Sequence, residues 1–200
     1  MIAFTIEPGI PRDARIAAAW LYWEAFGGKL GRVMGPDKRA RRFFAMTFDA
    51  RFALSALAPD GTLLGIAGFK THEGSMTGGS FAEMAAIYGA FGAGWRAACL
   101  SLLEREVLRD VLLMDGICVA PAARGQGVGS ALLDAVIAEA AARGLPAVRL
   151  DVIDDNPRAR ALYERKGFRA THENRLGLLR HVFGFTSATA MLRDVGEGAP

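Results

Sequence analysis

At 200 residues, with 52% hydrophobic and 22% charged side chains and a formal net charge of +3, the chain has the composition of one globular domain with a substantial core. That charge is too small to point to nucleic acid, and no apolar run approaches the ~20 residues of a membrane span. The first eight residues lack a basic region followed by an apolar stretch, so no signal peptide is expected, and Cys99 and Cys118, nineteen apart, form no metal or redox spacing. Both read as buried thiols suited to a reducing cytoplasm.

Taken in order, residues 2–7 predict an edge strand, and Pro11-Arg12-Asp13 opens a helix through Trp20, Tyr22 and Trp23 that Gly27-Gly28 is expected to stop. A second helix is expected from Pro36-Asp37, carrying the basic run Lys38, Arg39, Arg41 and Arg42 on a solvated face. Pro59-Asp60-Gly61 turns a hairpin between Phe52–Ala58 and Leu63–Lys70. A glycine-rich loop, 72–79, precedes Ala-rich helical segments from Phe81 to about Arg109, and Val111–Val119 reads as a strand. A helix to Arg143, a strand, a short helix, a strand through Phe168 to about Thr171 and a last strand at Ser187–Arg193 complete the pattern. An antiparallel hairpin followed by a βαβ unit means a mixed sheet. A single domain over 1–195 is expected, with 196–200 as a disordered tail.

The most informative stretch is Val119-Ala120-Pro121-Ala122-Ala123-Arg124-Gly125-Gln126-Gly127-Val128-Gly129-Ser130, where an apolar strand meets an apolar helix. Glycines remove side chains that would hold an anion away, the helix start adds unpaired N–H groups, and Arg124 adds a charged planar fork. Ser130-Ala131 after Gly129 excludes a P-loop, and Gly125-x-Gly127-x-Gly129 departs from the dinucleotide fingerprint. A second block, Asn156-Pro157 through Tyr163 to Gly167-Phe168, has a proline suited to a first helical turn and a glycine suited to a left-handed cap. Asn156 and Tyr163 stand seven apart, two turns, on one helix side.

Together, Arg124-x-x-Gly127-x-Gly129 and the Asn-Pro…Tyr…Gly-Phe block resemble the two motifs of the GNAT acyl-CoA N-acyltransferases, over about Leu112–Phe168. The resemblance implies an α/β (α+β) fold, with a mixed, mostly antiparallel twisted sheet of six to seven strands flanked by helices. It implies acetyl-CoA as co-substrate, no metal, and an amine acceptor that is a small molecule or a peptide. Acetyl transfer would proceed by direct attack in a ternary complex. No nucleic-acid or membrane partner is implied, and a homodimer is an expectation because family members often dimerise.

By position, the resemblance assigns cofactor binding to Cys118, Val119, Arg124, Gly125, Gln126, Gly127, Val128, Gly129, Ser130, Asn156 and Tyr163. The backbone N–H groups of Cys118 and Val119 would serve the pantetheine and the carbonyl. Tyr163 matches the phenol that donates to the leaving sulfur, and an ordinary phenol, with a pKa near ~10, is protonated at neutral pH. Asp115, four residues before Val119 and on its face by simple alternation, is the first candidate for base or acceptor ligand, with Glu83 and Glu73 behind it. A bulge would invert that alternation. Acceptor contacts are expected from 27–36 and 172–185; Arg158 and Arg160 read as solvated charges, Trp20 and Trp23 as core, and His72, His172 and His181 as surface or loop residues. Two rival readings remain: an acyl-CoA-binding sensor or partner module of the same fold, and a dinucleotide-dependent oxidoreductase.

Overall fold

The computed structural model describes residues 2–101, 110–175, 177 and 184–196. Eight strands form one sheet: β1 (Thr5–Pro8), β2 (Ala53–Leu57), β3 (Leu63–Thr71), β4 (Gly74–Ser75), β5 (Val111–Val119), β6 (Ala147–Ile153), β7 (Arg169–Arg175) and β8 (Ser187–Asp194). Their order is β1-β2-β3-β5-β6-β8-β7, with β4 paired to β3. β5–β6 is the one parallel pair among the described strands. The sheet is therefore mixed and mostly antiparallel, as expected, with the short β4 inside the glycine-rich loop. The helices are α1 (Arg15–Met34), α2 (Asp37–Thr47), α3 (Phe81–Ser101, broken at Gly89), α4 (Val128–Ala142) and α5 (Pro157–Arg165). The part of the helical expectation over 102–109 and the tail 197–200 lie outside the described residues.

Two directions built into glycines show how the layers sit. A Cβ on Gly65 would point at Val128 and Leu132 of α4, whereas one on Gly116 would run into the Phe26 ring of α1. Hence α4 covers one face of the sheet and α1 the other. On the α1 face an aromatic cluster joins helices to sheet, with Tyr22 stacked at 4.8 Å from Phe44 and 4.6 Å from Phe26. On the α4 face Leu132, Leu133, Val136 and Ala140, spaced at helical periodicity, are fully buried.

α1 does not stop at Gly27-Gly28; it continues to Met34 and ends where Gly35 N–H bonds the Gly31 carbonyl and Pro36 follows. Each helical glycine costs roughly 1 kcal/mol against alanine, but tertiary packing outweighs it, since Val33 and Met34 beyond the glycines are buried and the Met34 carbonyl accepts from the Tyr88 hydroxyl of α3. The bare Gly27 backbone lies against the Trp23 indole, where a Cβ would come within 3.0 Å. The 27–36 segment expected as a recognition loop is thus mostly helix. Trp20, expected in the core, is 54% exposed, with the Arg41 guanidinium 3.5 Å over its ring. Trp23 is buried as expected, Cys118 is buried and Cys99 half-buried.

Candidate active site

Two irregularities in β5 make the site. Opposite it, β3 pairs Gly68 with Gly116 and Phe69 with Met114, so Asp115 is the extra residue of a bulge. On its other side, pairing with β6 runs only from Val111–Ala147 to Leu113–Arg149. Beyond Leu113 the strands part, and the β6-facing edge of β5 is left without a ladder partner. Ala120 N–H donates to the Leu64 carbonyl at 2.8 Å, and Cys118 pairs with Ile66. Because donors alternate sides along an antiparallel strand, the Cys118 N–H faces β3, and those of Ile117 and Val119 face the split. The Val119 N–H thus faces the split, whereas that of Cys118, expected there, is taken up by β3 and Ile117 presents the second one. The Val119 carbonyl accepts from Arg124 Nε at 3.1 Å on this open flank.

At the mouth of the split, Gly125 and Gly127 adopt φ of 76° and 89°, the left-handed region that a side chain would strain. Gly127 begins α4 with no side-chain cap, and the first helical N–H with a carbonyl behind it is that of Ala131, 2.9 Å from Gly127 O. The N–H groups of Val128, Gly129 and Ser130 are thus available at the positive end of the helix. A Cβ on Gly125 or Gly127 would meet nothing within 4 Å, so the turn leading into these donors is open on its Cβ side. Arg124 reaches Glu24 of α1 at 3.2 Å while remaining half-exposed at the rim. The Gln126 side chain is turned away, bonded to the Ala122 carbonyl and the Ile2 N–H, so only its backbone can serve an anion.

Asn156 caps α5 through its side-chain oxygen, which accepts from the Ala159 N–H at 3.1 Å, and Pro157 occupies the first turn. Gly167, φ 81°, turns the chain out, with Phe168 N–H returning to the Tyr163 carbonyl. Tyr163 is consequently held inward, buried, with its ring 6.0 Å from Phe168. Burial, with the neighbouring Cys118 thiol adding to it, pushes the phenol up to about 12. Burial also pushes the Cys118 thiol up.

Residues 16–168 match the model of the Acetyltransferase (GNAT) family. The chain belongs to that family. The mycothiol acetyltransferase of Beutenbergia cavernae is 50% identical over 50 residues, which are 25% of this chain but only 17% of that protein. A solved acetyltransferase is 22% identical, covers 96% of this chain and 99% of its own, and superposes with a TM-score of 0.62. A GCN5-related N-acetyltransferase from Kribbella flavida is 19% identical, covers 96% and 98%, and gives a TM-score of 0.63. These two likenesses establish the fold.

Asp115 in this GNAT domain does not share a face with Val119. The bulge turns it to the α1 side, where Thr77 Oγ1 donates to Oδ2 at 3.3 Å. There it lines a cavity of about 380 Å³ with Tyr22, Phe44, Lys70, Thr77 and Leu113. Across the split, Asp151 on β6 lies 3.6 Å from Arg149 Nε, its side chain 6% exposed. Lys70, Thr77 and Asp151 escaped the sequence reading. For Lys70 the signal was a cation closing an otherwise apolar strand; Thr77 had none, since only the β4 hairpin brings it near.

The other candidates lie apart. Glu83 is spent on the first turn of α3, accepting from the Ser80 N–H and hydroxyl, which hold its carboxyl below the usual range. Glu73 pairs with Arg143 at a separate cleft near the end of α4. Arg160 pairs with Glu164 along α5, Arg158 is exposed, and Lys38, Arg39 and Arg42 lie on the exposed face of α2. His72 and His172 are exposed, and His181 lies outside the described residues, as does most of 176–183 within the expected 172–185 segment. Among the described residues no group of three His, Cys, Asp or Glu is placed to hold a metal, and no helix is long and apolar enough to cross a membrane.

Proposed function

We propose that this GNAT domain transfers an acetyl group from acetyl-CoA to an amine by direct attack in a ternary complex. The observation that carries the reading is the split beside β5, with uncapped N–H donors at one end and, near Cys118 of the same strand, a phenol that burial keeps protonated. Bound acetyl-CoA would supply the activated thioester. The N–H groups of Val128, Gly129 and Ser130 and the Gly125–Gly127 backbone would hold its pyrophosphate, with Arg124 at the rim. Ile117 and Val119 offer N–H groups where negative charge on a carbonyl oxygen needs donors in a water-poor cleft. Tyr163 keeps its proton on Oη for a departing thiolate sulfur. Asp115 stands where an amine proton can be accepted, directly or through water.

The reading is tested by incubating the protein with acetyl-CoA and a panel of primary amines while following free thiol and the mass shift of each amine. Thiol release above the amine-free rate, matched by an increase of one acetyl group on an amine, is the expected result. If no amine accelerates release although acetyl-CoA binds, the domain is an acyl-CoA-binding module rather than a transferase. Preference for a nicotinamide or flavin cofactor over acetyl-CoA in a thermal-shift comparison would instead favour an oxidoreductase.

A further inference from the structure

Of the described side chains lining the cavity beside Asp115, two are charged, Lys70 and Asp115, and they carry opposite signs. The remainder of the wall is largely aromatic and aliphatic, with Tyr22, Phe43, Phe44 and Met84 among it. At about 380 Å³ the space lies in the range of small-molecule sites. Lys70 pairs with Leu113 across β3–β5, and Asp115 follows two residues further along β5, so both project from adjacent strands toward α1. Adjacent strands run roughly 4.8 Å apart, which brings the two charged groups over one small region of the cavity. Among the described residues Lys70 takes no hydrogen bond or ion pair through its ammonium.

Resting on the acetyltransferase reading above, we infer that the acceptor is a free α-amino acid with a bulky apolar side chain. Its carboxylate is received by Lys70, its ammonium by Asp115, and its side chain by the aromatic wall. The chemistry discriminates among amines. A simple amine satisfies Asp115 but leaves Lys70 facing a desolvated apolar body, and a polyamine brings a second positive charge toward Lys70. A peptide amino terminus offers a neutral amide where Lys70 calls for an anion. Ammonium and carboxylate on one carbon match both charges in so small a space, and leaving the Lys70 ammonium without an anion there is costly. The proton balance is complete with these groups. The ammonium first loses a proton to Asp115 and on to water. The C–N bond then forms as the C–S bond breaks, Tyr163 protonates the thiolate, and the second amine proton returns to Tyr163. One proton is released for each N-acetyl amino acid and thiol formed.

The test compares phenylalanine, methionine and leucine with their decarboxylated amines and their α-carboxamides as acceptors, alongside calorimetric titration of phenylalanine into the protein–CoA complex. At least a tenfold higher kcat/KM for the amino acids is expected. Lys70→Met should reduce that preference at least fivefold, chiefly through KM, and Lys70→Arg should restore part of it. The wild-type panel and titration decide the matter even where a variant fails to fold. Equal or faster transfer to amines or amides lacking the carboxylate would overturn the inference and leave the transferase reading intact. Binding of phenylalanine without acetylation of any amine would overturn the transferase reading and leave the pocket assignment standing. Failure of phenylalanine to bind overturns the assignment.

Discussion

With its phenol pushed to about 12 by burial, Tyr163 is a proton donor throughout the working range of an enzyme. Tyr163→Phe should lower kcat at least ~10-fold while changing the KM for acetyl-CoA little, because the lost contact belongs to the departing sulfur. Steady-state kinetics with a turned-over amine checks this, and an unchanged kcat would remove Tyr163 from the chemistry. Gly127 belongs to the proposed cofactor cradle. Its φ of 89° means that Gly127→Val strains the backbone of the turn and displaces the donors proposed to hold phosphate. Acetyl-CoA affinity should fall at least ~10-fold by calorimetry, each tenfold being about 1.4 kcal/mol. Both residues were legible as candidates in the chain, since the signals that single them out, residue type and spacing, are local. Asp115 was legible as a candidate but not in its orientation: Gly116 beside it marks a place where a bulge can form, but whether one does, and which residue it turns, depends on the partner strand.

Among the elements, β5 and α1 are coupled through one contact. A Cβ on Gly116, next to the bulge, would overlap the Phe26 ring, which also stacks on Tyr22 at the cavity wall. Gly116→Ala should therefore cost about 1–3 kcal/mol by overpacking and alter acceptor KM more than acetyl-CoA KM, as denaturant titration and kinetics would report. Helix and strand identities followed from periodicity and turn residues, and β5 was expected over its observed span. The end of α1 was misjudged because Gly27, Gly28 and Gly31 lower intrinsic propensity only modestly, whereas packing against Trp23 and the sheet decides the outcome. Trp20 was misplaced for a related reason. Helical spacing alone does not say which edge of the apolar stripe a flanking aromatic falls on, and Arg41 of α2 covers it from outside.

For the whole molecule, folding is linked to two of the three buried phenols, Tyr88 and Tyr163. Tyr163 and Tyr88 are each raised from 10.0 to about 12, mainly by burial, and Tyr88 donates to the Met34 carbonyl at 2.6 Å. Below pH 10 both are protonated whether the chain is folded or unfolded, so their contribution is fully present. Between pH 10 and 12 the unfolded chain ionises first, and stability is lost as pH rises. Melting temperatures should fall across that interval, and less steeply in Tyr88→Phe, which removes one of the two groups. Acetyl-CoA at a hundred times its Kd should raise the midpoint by roughly 5–10 °C, since ligand linkage then adds about 2.7 kcal/mol; no shift would count against the cradle. The sequence by itself determined the family and picked out the glycine turn and Tyr163 as the candidates for phosphate and thiolate, because these are local arrangements of glycine, proline, asparagine and tyrosine that set backbone and capping geometry. Only the tertiary structure decided which β5 amides face the split, which side Asp115 takes and that Lys70 joins it. Those depend on strand register, and register is set by pairing between segments distant in the chain.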